Sequence, residues 1–263
     1  MRYIVCAISF ALISSSCTSS ESTEGSTEDL KGDKTIHLKL KQCDQPNRFV
    51  PPGELATPTD VARDAFCGDA IIKRSAPKGV VVMFGSSRLK DGTPEYANAR
   101  AFAKLWTEES GGEIPILTGG GPGLMEAGNR GAKEAGGPSL GFSTFFKAKD
   151  DTMNTFVTDG YMFSDFEVRE RALLHYARAA VILPGGVGTA WEFFMTLSNV
   201  QTKRMNKIPV ILMGSDVEKS VMPYLNLMKE KGTISPEDIG LFKTVDRAED
   251  AVNAIEDVLT APH

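Results

Sequence analysis

The residues best suited to chemistry lie in Pro184-Gly185-Gly186-Val187-Gly188-Thr189, with Glu192 three positions further on. Glycines there can take backbone conformations closed to other residues. The turn feeds a segment with helical spacing, so it ends at a helix amino terminus. Unpaired N–H groups and the helix dipole at such an end favour an anion. The Thr189 hydroxyl adds a donor. Gly185, Gly186, Gly188 and Thr189 are therefore read as phosphate-binding residues. No Gly-Lys-Ser/Thr follows, so the turn is not the P-loop. Glu192 falls one helical turn beyond Thr189 on the same side. A phosphate would repel its carboxylate, so Glu192 faces ribose hydroxyls or an attacking water. The plainer alternative is a Glu favoured near a helix start by the dipole alone.

Two further turns have similar composition. One is Thr118-Gly119-Gly120-Gly121-Pro122-Gly123, followed by Leu124-Met125-Glu126-Ala127. The other is Gly85-Ser86-Ser87. A single glycine loop says little, but three of them point to one ligand bounded by all three. Gly85, Ser86, Gly119, Gly120, Gly121 and Met125 join the candidate nucleotide-binding set. The first strand ends in Gly-Ser-Ser rather than Gly-x-Gly-x-x-Gly, which argues against a dinucleotide-dependent oxidoreductase. His37, His175 and His263 are scattered, and no Cys/His spacing suits zinc, so neither metal nor cofactor is expected.

The elements that must position these turns alternate. Strands are expected at 79–84, 114–117, 139–142, 180–183, 208–213 and 241–245, with another within 155–163. Helices are expected at 93–109, 122–135, 165–178, 188–202, 217–231 and 248–259. This order implies an α/β fold: one Rossmann-like parallel sheet with helices on both faces. Ligands of such sheets bind beyond the carboxyl ends of the strands, where all three turns lie.

The 263-residue chain has 41% apolar and 24% charged residues and a net charge of -5. Its basic residues are dispersed, which argues against a nucleic-acid surface. The amino terminus differs from the rest. Arg2, the apolar run 3–13 and Ser14-Ser15-Ser16-Cys17 have the parts of an export signal. Cys17 resembles the lipidated first residue of a bacterial lipoprotein, although Ser14 stands where Leu is usual. The expected organisation is a signal over 1–17, a disordered tether over 18–36, an extension over 37–75 and the nucleotide-binding domain over 76–263. The tether has almost nothing apolar to bury. Such a protein is exported and touches the membrane only through its lipid; a cytoplasmic protein with a chance apolar start is the alternative. Cys43 and Cys67 could pair in an exported protein, or remain two free thiols.

Taken in order, Phe84-Gly85-Ser86-Ser87, Pro94-Glu95-Tyr96, the 118–127 stretch and Pro184-Gly-Gly-Val-Gly-Thr-x-x-Glu192 resemble the LOG family, also described as lysine decarboxylase-like. The resemblance runs from about Gly79 to the carboxyl end. It implies hydrolysis of the N-glycosidic bond of a nucleoside 5'-monophosphate such as AMP, giving a free base and ribose 5-phosphate. It also implies a homodimer with active sites near the subunit interface. The family's catalytic pair is an Arg on the helix before the Pro-Gly-Gly strand and the motif Glu, which fall on Arg169 and Glu192. The family's Lys after that Arg is replaced by Glu170, a reversal of charge.

The expected chemistry fits these residue types. Glycosidic cleavage passes through an oxocarbenium-like state that a carboxylate stabilises and to which a positioned water adds. Glu192 suits that role. Arg169 is always charged, so it holds phosphate or base instead of donating a proton. A phosphoribohydrolase is the first reading. A nucleotide sensor or carrier without turnover is the second, since one fold serves both.

Overall fold

The run Val80–Phe84 forms β1 at the centre of the sheet in the computed structural model, which describes residues 39–146 and 148–260. β1 is apolar throughout because both of its faces are covered. Val80, Val82 and Phe84 pack into one hydrophobic cluster, Val81 and Met83 into another. The other strands are β2 (Ile116–Thr118), β3 (Ser139–Thr144), β4 (Asp159–Phe163), β5 (Ala177–Ile182), β6 (Val210–Met213) and β7 (Lys243–Val245). They pair in parallel in the order β4-β3-β2-β1-β5-β6-β7.

The helices are α1 (Pro58–Ser75), α2 (Pro94–Glu109), α3 (Leu124–Glu134), α4 (Phe166–His175), α5 (Val187–Gln201), α6 (Ser215–Glu230) and α7 (Ala248–Leu259). Residues of α1, α4, α5 and α6 cover one face of the sheet, and those of α2, α3 and α7 cover the other. The architecture is a single Rossmann-like α/β domain. The strand order changes direction between β1 and β5, and crevices in open sheets of this kind form at that switch.

Two features differ from the expected elements. The helix expected over 165–178 stops at His175, and β5 begins at Ala177. Pairing with β1 extends this strand backwards: Val80 is already opposite Ala177. The second feature is α1, an 18-residue helix inside the expected extension. Its start carries ordinary signals. The Thr57 side chain accepts from the Asp60 N–H, Asp60 reaches back to the Thr57 N–H, and Pro58 occupies the first turn. Its buried Cys67, Ile71 and Ile72 join the same cluster as β1. A disulfide links Cys67 to Cys43.

Residues 1–38, and with them the export signal, the Cys17 anchor and the tether, lie outside the described residues. No helix among the described residues is long and apolar enough to cross a membrane.

Candidate functional site

The ends of β1, β2 and β5 meet because their turns are tied together at Ser86. The Ser86 N–H donates to the Pro184 carbonyl (3.0 Å), and the Leu124 N–H donates to the Ser86 carbonyl (2.9 Å). Gly123 is the tightest point of this junction. Its φ is +72°, and a Cβ there would overlap the Ser86 carbonyl oxygen. Gly85 is also confined, since a Cβ would lie 3.0 Å from the side chains of Leu124 and Leu183.

The Gly119–Gly121 turn is held from several sides. Gly119 and Gly120 are buried. The Gly120 N–H donates to the Thr118 hydroxyl (2.9 Å), and Thr118 donates to Asn129 (2.7 Å). Asn154 donates to the carbonyls of Gly121 (2.9 Å) and Gly120 (3.1 Å). The Met125 sulfur and the Arg169 guanidinium lie where a Gly119 side chain would go. The structure thus brings Met125, Gly119 and Arg169 into contact across three elements.

The Pro184–Thr189 turn is open. Gly185, Gly186 and Gly188 are exposed, and nothing lies within 4 Å of a Cβ built on Gly186 or Gly188. None of the three has positive φ. Their lack of side chains matters for space rather than for backbone freedom, which corrects the conformational argument made from the sequence. Gly185 is the exception to open space, because its missing Cβ makes room for the buried Thr189 side chain. Helix α5 starts here, and its first backbone bond runs from the Ala190 N–H to the Gly186 carbonyl. The N–H groups of Val187, Gly188 and Thr189 precede that bond, so the helix itself gives them no carbonyl partner and leaves them as donors.

Arg169 and Glu170 arrive from α4. The β4–α4 junction is fixed by Asp64 of α1, whose carboxylate accepts from the N–H groups of Ser164 (3.0 Å) and Asp165 (2.8 Å). Asp165 then caps the helix by accepting from the Val168 N–H (2.8 Å). Burial pushes the Asp64 carboxyl up to about 6. Both Arg169 and Glu170 are buried. Arg169 donates through Nε to the Phe142 carbonyl (2.8 Å) and through Nη1 to Glu170. The second oxygen of Glu170 is buried with no partner. Glu192, half-buried on α5, is pushed up to about 8, first by burial and then by the charge of Glu170, against the opposing pull of Arg169. Burial also raises Glu170, against Arg169.

Aromatic side chains border this cluster, a feature the sequence reading missed. Phe166 stacks on Trp191 (centroids 5.4 Å apart, planes 23° apart) and meets Phe146 edge-on at 6.2 Å. The Arg169 guanidinium lies 5.5 Å from the Phe166 ring centre. All three rings are exposed, as is Val187 at the start of α5. The one available signal was Trp191 beside Glu192, but Phe146 and Phe166 are too far away in sequence to be grouped with it. Among the described residues, no cluster of three His, Cys, Asp or Glu side chains could hold a metal ion.

The family model described as "Possible lysine decarboxylase" matches residues 125–255, a span that contains Arg169, Glu192 and the open turn. A cytokinin riboside 5'-monophosphate phosphoribohydrolase of Rhodococcoides fascians is 27% identical over 168 residues, covering 62% of this chain and 81% of that protein. Over these residues the chain is similar to the LOG family. Solved structures share this LOG-type fold. The molybdenum cofactor binding protein of Rippkaea orientalis superposes with a TM-score of 0.53 at 21% identity, covering 69% of this chain and 98% of that one. The molybdenum cofactor carrier protein of Chlamydomonas reinhardtii gives 0.52 at 21% identity, covering 70% and 99%.

Proposed function

We propose that this LOG-like protein hydrolyses the N-glycosidic bond of an AMP-like nucleoside 5'-monophosphate, releasing the free base and ribose 5-phosphate. One observation carries the reading: an open helix amino terminus at Gly186–Thr189 lies one helical turn from Glu192, a carboxyl raised to about 8. The relative's hydrolase activity agrees with it.

In this reading the phosphate sits on the N–H groups of Val187, Gly188 and Thr189. The ribose lies towards Glu192, and the base lies against the exposed faces of Trp191 or Phe166. At neutral pH Glu192 carries a proton. As the C1'–N bond breaks, its electron pair goes to the base and the Glu192 proton goes to a base nitrogen. The resulting carboxylate stabilises the oxocarbenium-like sugar. Water adds at C1' and returns a proton to Glu192. Arg169 remains charged throughout and fixes the Gly119 turn and Glu170.

The test is release of ribose 5-phosphate by the purified full chain from AMP, CMP, GMP and IMP. Release from at least one nucleotide, lost in Glu192→Gln, supports the reading. A specific observation favours the second reading, a carrier or sensor: Glu170 stands where the LOG-family resemblance places a Lys, and it pairs with Arg169. Tight AMP binding with no release would establish that alternative.

Export with a lipid at Cys17 belongs to the same proposal. The Cys43–Cys67 disulfide supports it, since such bonds persist in oxidising compartments. Incorporation of a labelled lipid precursor into the wild type but not into Cys17→Ala is the expected result. Equal labelling of both would remove the anchor from the proposal.

A further inference from the structure

Helix α1 and the chain before it lie outside both the 125–255 match and the resemblance that begins near Gly79. This added segment nevertheless reaches the helix that carries Arg169. The connection passes through Asp64, which is fully buried. Its Oδ1 accepts from the Asn47 side chain (2.6 Å), and its Oδ2 accepts from the N–H groups of Ser164 (3.0 Å) and Asp165 (2.8 Å). Burial raises its carboxyl only to about 6, so it is ionised at neutral pH. Hydrogen bonds to a charged acceptor are stronger than neutral ones. None of these partners is a cation, and a carboxylate buried in this way depends on its hydrogen bonds.

Both ends of the link are themselves held. On one side, the Asn47 N–H donates to the Met162 carbonyl of β4 (2.9 Å), and its side chain also donates to the Asp60 carbonyl (3.0 Å). Arg63 donates to the carbonyls of Gln42 (2.6 Å), Gln45 (3.2 Å) and Pro46 (3.3 Å). The Cys43–Cys67 disulfide ties the same stretch to α1. On the other side, the Asp165 carbonyl accepts from the Arg169 N–H (3.2 Å), and the Arg169 guanidinium then meets the Phe142 carbonyl of β3.

We propose that Asp64 is a positioning residue for the site: residues 39–75 act as a clamp whose buried carboxylate fixes where α4 starts, and so where Arg169 meets β3 and the 118–123 turn. The inference rests on the hydrolase reading for what Arg169 is placed to do, but its test needs no substrate. Asp64→Asn removes the charge and one acceptor at nearly constant shape. Its NH2 group must point at the Asn47 amide or at the two N–H groups, donor against donor. Asn47 cannot turn to accept without giving up the bond from the Arg48 N–H to its Oδ1 (2.9 Å).

The experiment is hydrogen exchange followed by NMR on the full, disulfide-bonded chain without ligand. It compares the Arg169 Nε–H signal, identified by its loss in Arg169→Lys, with the amides of Val81 and Val82 in β1. In Asp64→Asn the Arg169 Nε–H should exchange about tenfold faster, and the β1 amides should change less. Equal or greater acceleration at β1 is an ordinary loss of stability and overturns the proposal, as does an unchanged Arg169 Nε–H. If Asp64→Asn does not fold, Asn47→Ala decides by the same comparison, since it leaves the carboxylate in place and removes the side-chain hold on it. Where hydrolysis is observed, kcat of Asp64→Asn should fall by up to about 10²-fold, as for a displaced site group. Absence of hydrolysis in the wild type bears on the proposed reaction and leaves the exchange result readable.

Discussion

The turns at 118–123 and 184–189 look alike in sequence: each is rich in glycine, each leaves a strand, and each opens a helix. In the structure they have opposite characters. Gly119, Gly120 and Gly123 are buried, and the last two have positive φ. A side chain on any of them would meet Arg169, Met153 or the Ser86 backbone. Gly186 and Gly188 are exposed, have no positive φ and face open space. One turn uses glycine to pack three strand ends together, while the other uses it to leave room. Residue composition therefore marks close approach of something to the backbone, but not whether that something is the protein itself or a ligand.

The largest effect that would sharpen this contrast is at Glu192, next to the open turn. Glu192→Gln should lower kcat for nucleotide hydrolysis by about 10²–10⁴-fold, the range for loss of a general acid. Calorimetry should show that AMP binding survives. Equal loss of binding would make Glu192 a ligand contact instead of an acid.

The turns themselves should separate by stability. Gly123→Ala should lose on the order of 3 kcal/mol or fail to fold, because its backbone conformation and the Ser86 carbonyl both oppose a Cβ. Gly188→Ala should unfold within about 1 kcal/mol of wild type or slightly later, since alanine favours a helix. Its cost should appear in KM for the nucleotide. If both variants melt alike in urea, the contrast between the turns is lost.

Trp191→Ala should weaken nucleotide binding by about 1–3 kcal/mol, a typical loss for a ring stacked on a base. Ribose 5-phosphate, which has no base, should bind the variant and the wild type equally. A similar loss for both ligands would take the base off this ring.

The smallest effect is a slope with pH. The folded-state pKa of Glu192 is raised to about 8 from its ordinary 4.5, so the folded protein holds a proton that the unfolded chain releases. Stability from this group is present below about 4.5 and declines as pH rises towards about 8. Melting temperatures of wild type and Glu192→Gln, compared from pH 5 to 8, should show the wild type losing ground. Parallel curves would place Glu192 in ordinary solvent.

The sequence by itself determined the alternation of strands and helices, and with it the parallel sheet and the three turns at one edge. It also determined that Glu192 follows the open turn by one helical turn. These are local properties, set by hydrophobic period, β-branching and punctuation by glycine. Helix α1 was not expected from the sequence, although its start signals at Thr57, Pro58 and Asp60 are local too. Only the tertiary structure decided which glycine turn is filled and which is open. That depends on Arg169 and Met153 arriving from other segments. It also decided where β5 begins, since pairing with β1 extends the strand to Ala177. The state of Glu170 and Glu192 belongs to the same class. Their types were visible in the sequence, but burial and the shared Arg169 set their protonation, and both arise from segments that meet only on folding.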